Sequence, residues 1–368
     1  MKTEVMEIDP VVPRFEVIQK AADYIRQGKI VAIPTETVYG LAADYNNPEA
    51  IKRLYEVKGR PQDKPFSIAI ANAQALEYLA QDVSSLSYKL VDKFWPGPLT
   101  LVLRSAGERR QTIGLRMPNN RVALRIIEAA TVEVALPIGR QTTAPCLVAL
   151  PSANPSGGKP SQSAQEVLQY LDGKIDLVID AGKAELGMES TVVDLTHLPF
   201  KILREGVIKK EEIENIAQSK MVLFVCTGNS CRSVMAEGLL KKELSKLRHT
   251  NVEVFSAGIA AFNGLGSTVE TLELLAREGI DMSQHETKRV NKLMLKSADL
   301  ILAMDNIQER RILQLAPDAE KRVYLLKEFA KLADNDLNIT DPIGQGIDYY
   351  EKVFYTIKEA VGKVAGLL

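Results

Sequence analysis

The chain has 368 residues, 46 Lys and Arg against 47 Asp and Glu, and 46% apolar side chains, which is more chain than one domain core usually takes up and close to electroneutral. That balance excludes a general nucleic-acid coat, and no apolar run approaches the roughly 18 residues of a membrane span. Three cysteines are too few for a disulfide framework, so a reducing, cytoplasmic setting is expected. The opening "MKTEVMEIDPVVPRF" is acidic and lacks an apolar core, so it reads as neither signal peptide nor anchor. His197, His249 and His285 are scattered without metal-ligand spacing, and no metal site is expected.

Along the first half, strand-like and helical patterns alternate: "KIVAIPT", then "NPEAIKRLYEVK" opened by Asn47 and Pro48, then "FSIAIA", "LTLVLR", "TIGLRMP", "CLVAL", "SAQEVLQYL", "IDLVID" and "STVVDL". Several strands are adjacent in sequence, which predicts an α/β domain with a twisted mixed sheet. A short charged helix in "REGVIKKEEIENIAQSK" precedes a fresh strand at Met221, so the domains are expected at 1–219 and 220–368. The second half alternates strictly: strand "MVLFV", helix "SVMAEGLLKKELSKL", strand "VEVFSAG", helix "TVETLELLAREG", strand "DLILAM", helix "IQERRILQL", strand "RVYLL" and a terminal helix from about Asp348. That alternation predicts a doubly wound parallel sheet, Rossmann-like, with ligands at the carboxyl ends of its strands.

"VLFVCTGNSCRS" lies at such an end. Cys226 and Arg232 bracket five residues, enough for a loop whose backbone N–H groups turn inward above the N-terminus of the next helix. A phosphate-sized oxyanion fits that cradle, and a sulfur at its floor is favoured as the nucleophilic thiolate. Arg232 can take two equatorial oxygens, Ser233 can hydrogen-bond the sulfur, and Asp341 in "ITDPIGQG" can protonate the leaving group. With "SAG", "ADLIL" and "DP", the stretch resembles the low-molecular-weight phosphotyrosine phosphatases over Met221 to Leu368. The resemblance implies Cys226 as nucleophile, Arg232 as phosphate clamp and Asp341 as general acid. The phosphate loop is then Thr227, Gly228, Asn229, Ser230, Cys231 and Ser233, Cys231 being the cysteine that can protect the nucleophile by a reversible disulfide.

The resemblance implies a phosphoprotein substrate and no cofactor. Tyrosine-specific members place aromatic side chains after Asp-Pro, where this chain has Ile343 and Gly344. Protein-arginine phosphatases carry a hydroxyl residue at the position of Ser230. The related arsenate reductases need a further resolving cysteine that this half lacks.

In the first half "PTETVYGLAAD", "KGRPQDKPFSI" and "SANPSGGKPS" are each weak turn or surface signals. In chain order with "WPGPLTLVL", "LRMP", "GMESTVVDL" and "ILREG", they resemble the threonylcarbamoyl-AMP synthases of the YrdC/Sua5 family over roughly Ile8 to Ile208. That family joins L-threonine, bicarbonate and ATP, with Mg²⁺, into the adenylate that feeds modification of the adenosine beside the tRNA anticodon. The resemblance implies Lys58, Arg60, Thr112, Ser152, Asn154, Ser161 and Arg204 as the ATP set, and Thr35, Arg116 and Ser190 around threonine. The partners implied are tRNA-modification enzymes, with tRNA itself a further candidate and no membrane. Two departures flank the nucleotide site: a stretch near 131–144 longer than the family carries, and an extra glycine in "SGGKPS". The competing expectation is an RNA- or nucleotide-binding module that regulates the phosphatase.

Overall fold

The structure, a computed structural model, describes residues 2–107, 111–131 and 146–368. The longer stretch expected near 131–144 lies, beyond Thr131, outside the described residues. Contacts divide the chain into units Met1–Ile213 and Glu214–Leu368, a division inside helix Lys210–Gln218.

Among the described residues of the first unit, eleven strands form one mixed sheet. Glu4–Glu7 lies parallel to Leu177–Asp180, which is parallel to Val31–Ile33. Gly40–Asp44, Val148–Ala149, Ile68–Ala69, Thr112–Arg116, Leu99–Ser105, Thr191–Asp194 and Lys201–Arg204 follow in that order. Three of these strands prepare the cleft described below. Leu99, Leu101, Ile113, Leu115, Thr191 and Val193 are buried, and the alternating residues Thr100, Val102, Thr112, Gly114, Arg116, Val192 and Asp194 line the cleft from the opposite face. The register sets Val102 opposite Gly114 and beside Asp194.

Helix Pro48–Lys58 forms because Asn47 accepts from the amides of Glu49 and Ala50, Pro48 sits in the first turn, and Gly59 closes the end in the left-handed region at φ 57°. It delivers Lys58, buried, at its last turn.

In the second unit four strands run parallel in the order Val252–Gly258, Lys220–Cys226, Leu300–Ala303, Val323–Leu325. Lys220–Cys226 is the strand from which the chain winds first to one side and then to the other, the switch point at which doubly wound sheets bind ligands. It is buried on both faces: Phe224 and Cys226 pack towards helices Arg232–Leu247 and Ile347–Ala365, Leu223 and Val225 towards the opposite core. The expected α/β architectures are both present.

Replacing the cap, Asn47→Ala, removes the acceptor for two amides and should lower the stability of the first unit by about 1 kcal/mol, read as a shifted urea midpoint.

Candidate active sites

A cleft of about 580 Å³ opens on the face of the first unit's sheet carrying Thr112, Gly114 and Arg116. Of the expected residues it brings together Arg60, Thr112, Arg116, Ser152, Ser190 and Arg204. Thr35 lines a smaller recess that shares Arg116 and Ser152 with the cleft. Lys58, Asn154 and Ser161 line neither; they build the adjoining turn.

Lys58 Nζ donates to the carbonyls of Ser152 and Asn154 at 2.6 and 2.7 Å. Ser161 Oγ donates to Ala153 O at 2.7 Å, and Asn154 Nδ2 to Pro155 O and Gly158 O. Burial, with Arg60 adding to it, pulls the Lys58 ammonium down to about 8. Lys58 therefore holds the turn, and the cations lining the cleft are Arg60, Lys64, Arg116 and Arg204.

Each arginine is held by oxygens of its own surroundings. Arg60 Nε donates to Lys64 O at 2.9 Å and Nη2 to Pro65 O at 3.1 Å, its guanidinium carbon 5.4 Å from the Phe66 ring centroid. Arg204 donates to Ser190 O at 3.0 Å, Ser190 Oγ at 3.2 Å and Glu189 Oε1 at 2.6 Å. Arg116 donates to Gly97 O, Glu36 Oε1 and Thr37 Oγ1. Positive groups fixed before an anion arrives need little reorganisation when it does.

In the second unit, Cys226 ends its strand and helix Arg232–Leu247 starts six residues later. The amide of Asn229 donates to Cys226 Sγ at 3.1 Å, and Ser233 Oγ lies 3.0 Å from that sulfur. Both groups converge on the Cys226 sulfur. The loop turns at Asn229, φ 57°, a conformation costing a non-glycine residue about 1–2 kcal/mol. Side-chain bonds offset it: Asn229 Nδ2 donates to Ser233 Oγ at 3.0 Å and Ser256 Oγ at 2.8 Å, and its Oδ1 accepts from the Lys288 amide at 2.8 Å.

Arg232 is only 2% exposed. Its Nη1 donates to Asp305 Oδ2 at 3.0 Å and Ile339 O at 2.8 Å; its Nη2 reaches Thr227 Oγ1 at 3.3 Å and pairs with Asp341. Arg232 and Asp341 thus stand together, and the Asp341 carboxylate takes one of the guanidinium's donors. Cys231 turns away from the loop centre, its sulfur 3.4 Å from Tyr350 Oη and 3.6 Å from Thr268 Oγ1, and all three cysteines are free.

Residues 23–206, half of the chain, match the Sua5–YciO–YrdC family model, described as "Telomere recombination". The chain belongs to this family. Residues 221–368 match the low molecular weight phosphotyrosine protein phosphatase family, so a phosphatase-type domain is fused behind the Sua5-type one. A threonylcarbamoyl-AMP synthase from Pyrococcus abyssi is 40% identical over 229 residues, covering 60% of this chain and 63% of that protein. The chain thus spans less than two thirds of that relative's length. The crystal structure of Pyrococcus abyssi Sua5 complexed with L-threonine is 28% identical at a TM-score of 0.52, covering 88% of this chain and 99% of that one. A low molecular weight protein tyrosine phosphatase from T. tengcongensis is 36% identical across 41% of this chain and 100% of its own, at a TM-score of 0.38.

Sequence patterns did not point to Ser67 and Glu189, which line the cleft, to Glu36 on Arg116, or to Ser256, Asp305 and Gln308 in the phosphatase-type unit. Asp305 and Gln308 carried a local signal: they form a capping box at helix Asn306–Leu315, directly after strand Leu300–Ala303. Gln308 Nε2 donates to Asp305 Oδ2 at 2.7 Å and to Thr227 Oγ1 at 3.2 Å, so the box also buttresses the phosphate loop. Ser256 lies inside the quoted "SAG".

Gly258 decides how closely the next strand approaches this loop. A Cβ there would stand 2.6 Å from Thr227 O and 2.8 Å from Asn229 N, both backbone atoms. Gly258→Ala should therefore displace the loop by about an ångström and cut hydrolysis of an aryl phosphate by about 100-fold. A kcat/KM within threefold of wild type would show that the contact is relieved elsewhere.

Proposed function

We propose that the first unit makes L-threonylcarbamoyladenylate from L-threonine, bicarbonate and ATP, as a supplier for tRNA threonylcarbamoyladenosine formation. The observation that carries this reading is the convergence of Arg60, Arg116, Ser152, Ser190 and Arg204 on one cleft, with Thr35 in the recess beside it. The threonine amine takes up bicarbonate carbon with loss of water, forming the carbamate. A carbamate oxygen then attacks the α-phosphorus of ATP, and the bond to the bridging β-phosphate oxygen breaks to release pyrophosphate. Arg60 and Arg204 stabilise charge on the triphosphate, and Arg116 takes the threonine carboxylate. The turn held by Lys58, with Asn154 and Ser161, shapes the nucleotide end.

Mg²⁺ arrives with the nucleotide, where it would offset the triphosphate charge. Among the described residues the buried Asn154 Oδ1, on the turn adjoining the cleft, has no hydrogen-bond partner and is a hard oxygen of the kind such an ion accepts. The three free thiols fit the reducing cytoplasm.

The second unit, by our reading, dephosphorylates phosphoprotein. Cys226 Sγ attacks phosphorus while Arg232 holds two oxygens, the bond to the leaving group breaks, and Asp341 gives that group its proton. Water then attacks the cysteinyl phosphate and passes its proton to Asp341, and inorganic phosphate leaves with the thiolate restored. The contacts of the Asn229 amide and Ser233 Oγ with the sulfur, and the pairing of Arg232 with Asp341, support this course. Ser230 presents a hydroxyl on the loop, and the exposed Ile343 after Pro342 supplies no ring for a phenol, so phosphoarginine is the favoured substrate.

Two assays test these readings. Pyrophosphate release from ATP by the full chain should need both threonine and bicarbonate, and Arg60→Ala or Lys58→Ala should reduce it about 100-fold or more. Equal release with serine, or with no amino acid, would sink the assignment.

For the phosphatase, Cys226→Ser should abolish hydrolysis and leave adenylate synthesis untouched, since the two chemistries share no residue. Wild-type protein should prefer phosphoarginine to phosphotyrosine peptides by roughly 10- to 150-fold, the worth of one hydrogen bond to a charged group, with Ser230→Ile eroding the preference. Faster phosphotyrosine hydrolysis that Ser230→Ile does not alter would leave a tyrosine phosphatase.

A further inference from the structure

Glu36 is a buried charge that the reaction as described does not use. It lies between strands Val31–Ile33 and Gly40–Asp44 and is 4% exposed. Its Oε1 accepts from Arg116 Nη2 at 2.8 Å, whereas Oε2 is buried and has no partner among the described residues. The turn cannot carry the carboxylate away. The Glu36 carbonyl accepts from the Leu186 amide at 2.8 Å, and the flanking Thr35 and Thr37 hydroxyls lie 2.9 Å apart.

A buried ion pair of this kind roughly breaks even against apolar side chains, so stability does not account for it. Geometry does. A guanidinium carries five N–H donors in one plane. Arg116 places Nε on Gly97 O at 3.2 Å and Nη2 on Glu36 Oε1 and Thr37 Oγ1, each at 2.8 Å. Among the described residues its two Nη1 donors have no hydrogen-bond partner, while the side chain lines both the cleft and the recess. Glu36 itself lines neither, so it acts through Arg116.

We propose that Glu36 is the positioning residue for amino-acid recognition, pinning Arg116 along one edge so that its Nη1 donors are presented to the substrate carboxylate. This rests on the threonine reading given above. The same pinning makes the site selective for a ligand with a free carboxylate, because an arginine held by Gly97, Thr37 and Glu36 cannot turn to follow a differently shaped ligand.

The test titrates full-length protein, in the presence of a non-hydrolysable ATP analogue, with L-threonine and with L-threoninamide, which lacks the carboxylate. Wild-type protein should prefer threonine. Glu36→Ala should shrink that preference about tenfold or more by weakening threonine alone, with the affinity for the ATP analogue within about twofold. Glu36→Gln, which keeps an acceptor oxygen in place, should hold the preference within about threefold of wild type. Should Glu36→Ala not fold, Glu36→Asp keeps the charge but draws the acceptor back by one methylene, and the preference should fall several-fold. An unchanged threonine-to-threoninamide ratio in the folded variant, or equal weakening of all three ligands, overturns the proposal. Wild-type protein that binds no threonine at all overturns the substrate reading beneath it, a result distinct from a wild type that binds and a variant that binds equally.

Discussion

Burying an ammonium or guanidinium costs several kcal/mol unless its donors meet oxygens, and both units are arranged around such cations. Lys58 meets two turn carbonyls and Arg232 meets Asp305, Ile339, Thr227 and Asp341, while the half-buried Arg116 is met along one edge by Gly97, Glu36 and Thr37. Most of the local geometry of the two sites follows from where those oxygens must stand. In the first unit the turn 152–154 is drawn onto the end of helix Pro48–Lys58. In the second, the segment bearing Asp341 is drawn over the thiol loop, with the Ile339 amide anchored on Met304 O at 2.8 Å.

The two sites use their cations differently. Arg232 is buried and held by two carboxylates, Asp305 and Asp341, together with Ile339 O and Thr227 Oγ1. Arg60, Arg116 and Arg204 stand at an open cleft and are held chiefly by carbonyls and hydroxyls, apart from Glu36 and Glu189. Arg60, held by the carbonyls of Lys64 and Pro65, is positioned without its charge being offset, whereas Arg116 and Arg204 each pair with a carboxylate.

A left-handed residue inside the thiol loop is the second constraint. Asn229 is tolerated there because its amide is bonded on three sides, to Ser233, Ser256 and Lys288, from three separate segments. The loop shape is therefore a property of strand Val252–Gly258 and the segment before helix Lys292–Ser297 as much as of the loop itself.

How far the sequence was legible follows from how local each interaction is. Strand Lys220–Cys226, helix Arg232–Leu247 and the loop between them lie in one short stretch, so amides, thiol and arginine could be placed by counting residues. Asn47, Pro48 and Gly59 likewise announce their helix. Helix Phe15–Arg26 has no side-chain cap, and only its periodic Val17, Ile18, Ala21, Ala22 and Ile25 mark it. By itself the sequence determined the alternation of strands and helices, the two α/β units, and the residue types each site would need. Tertiary structure alone decided that Lys58 faces the turn and not the cleft, that Asp305 and Asp341 share Arg232, and that Glu36 backs Arg116. Those partners lie tens of residues apart, and their pairing is fixed by burial: a buried charge must find its oxygen wherever the packed strands bring one, and no local pattern says which.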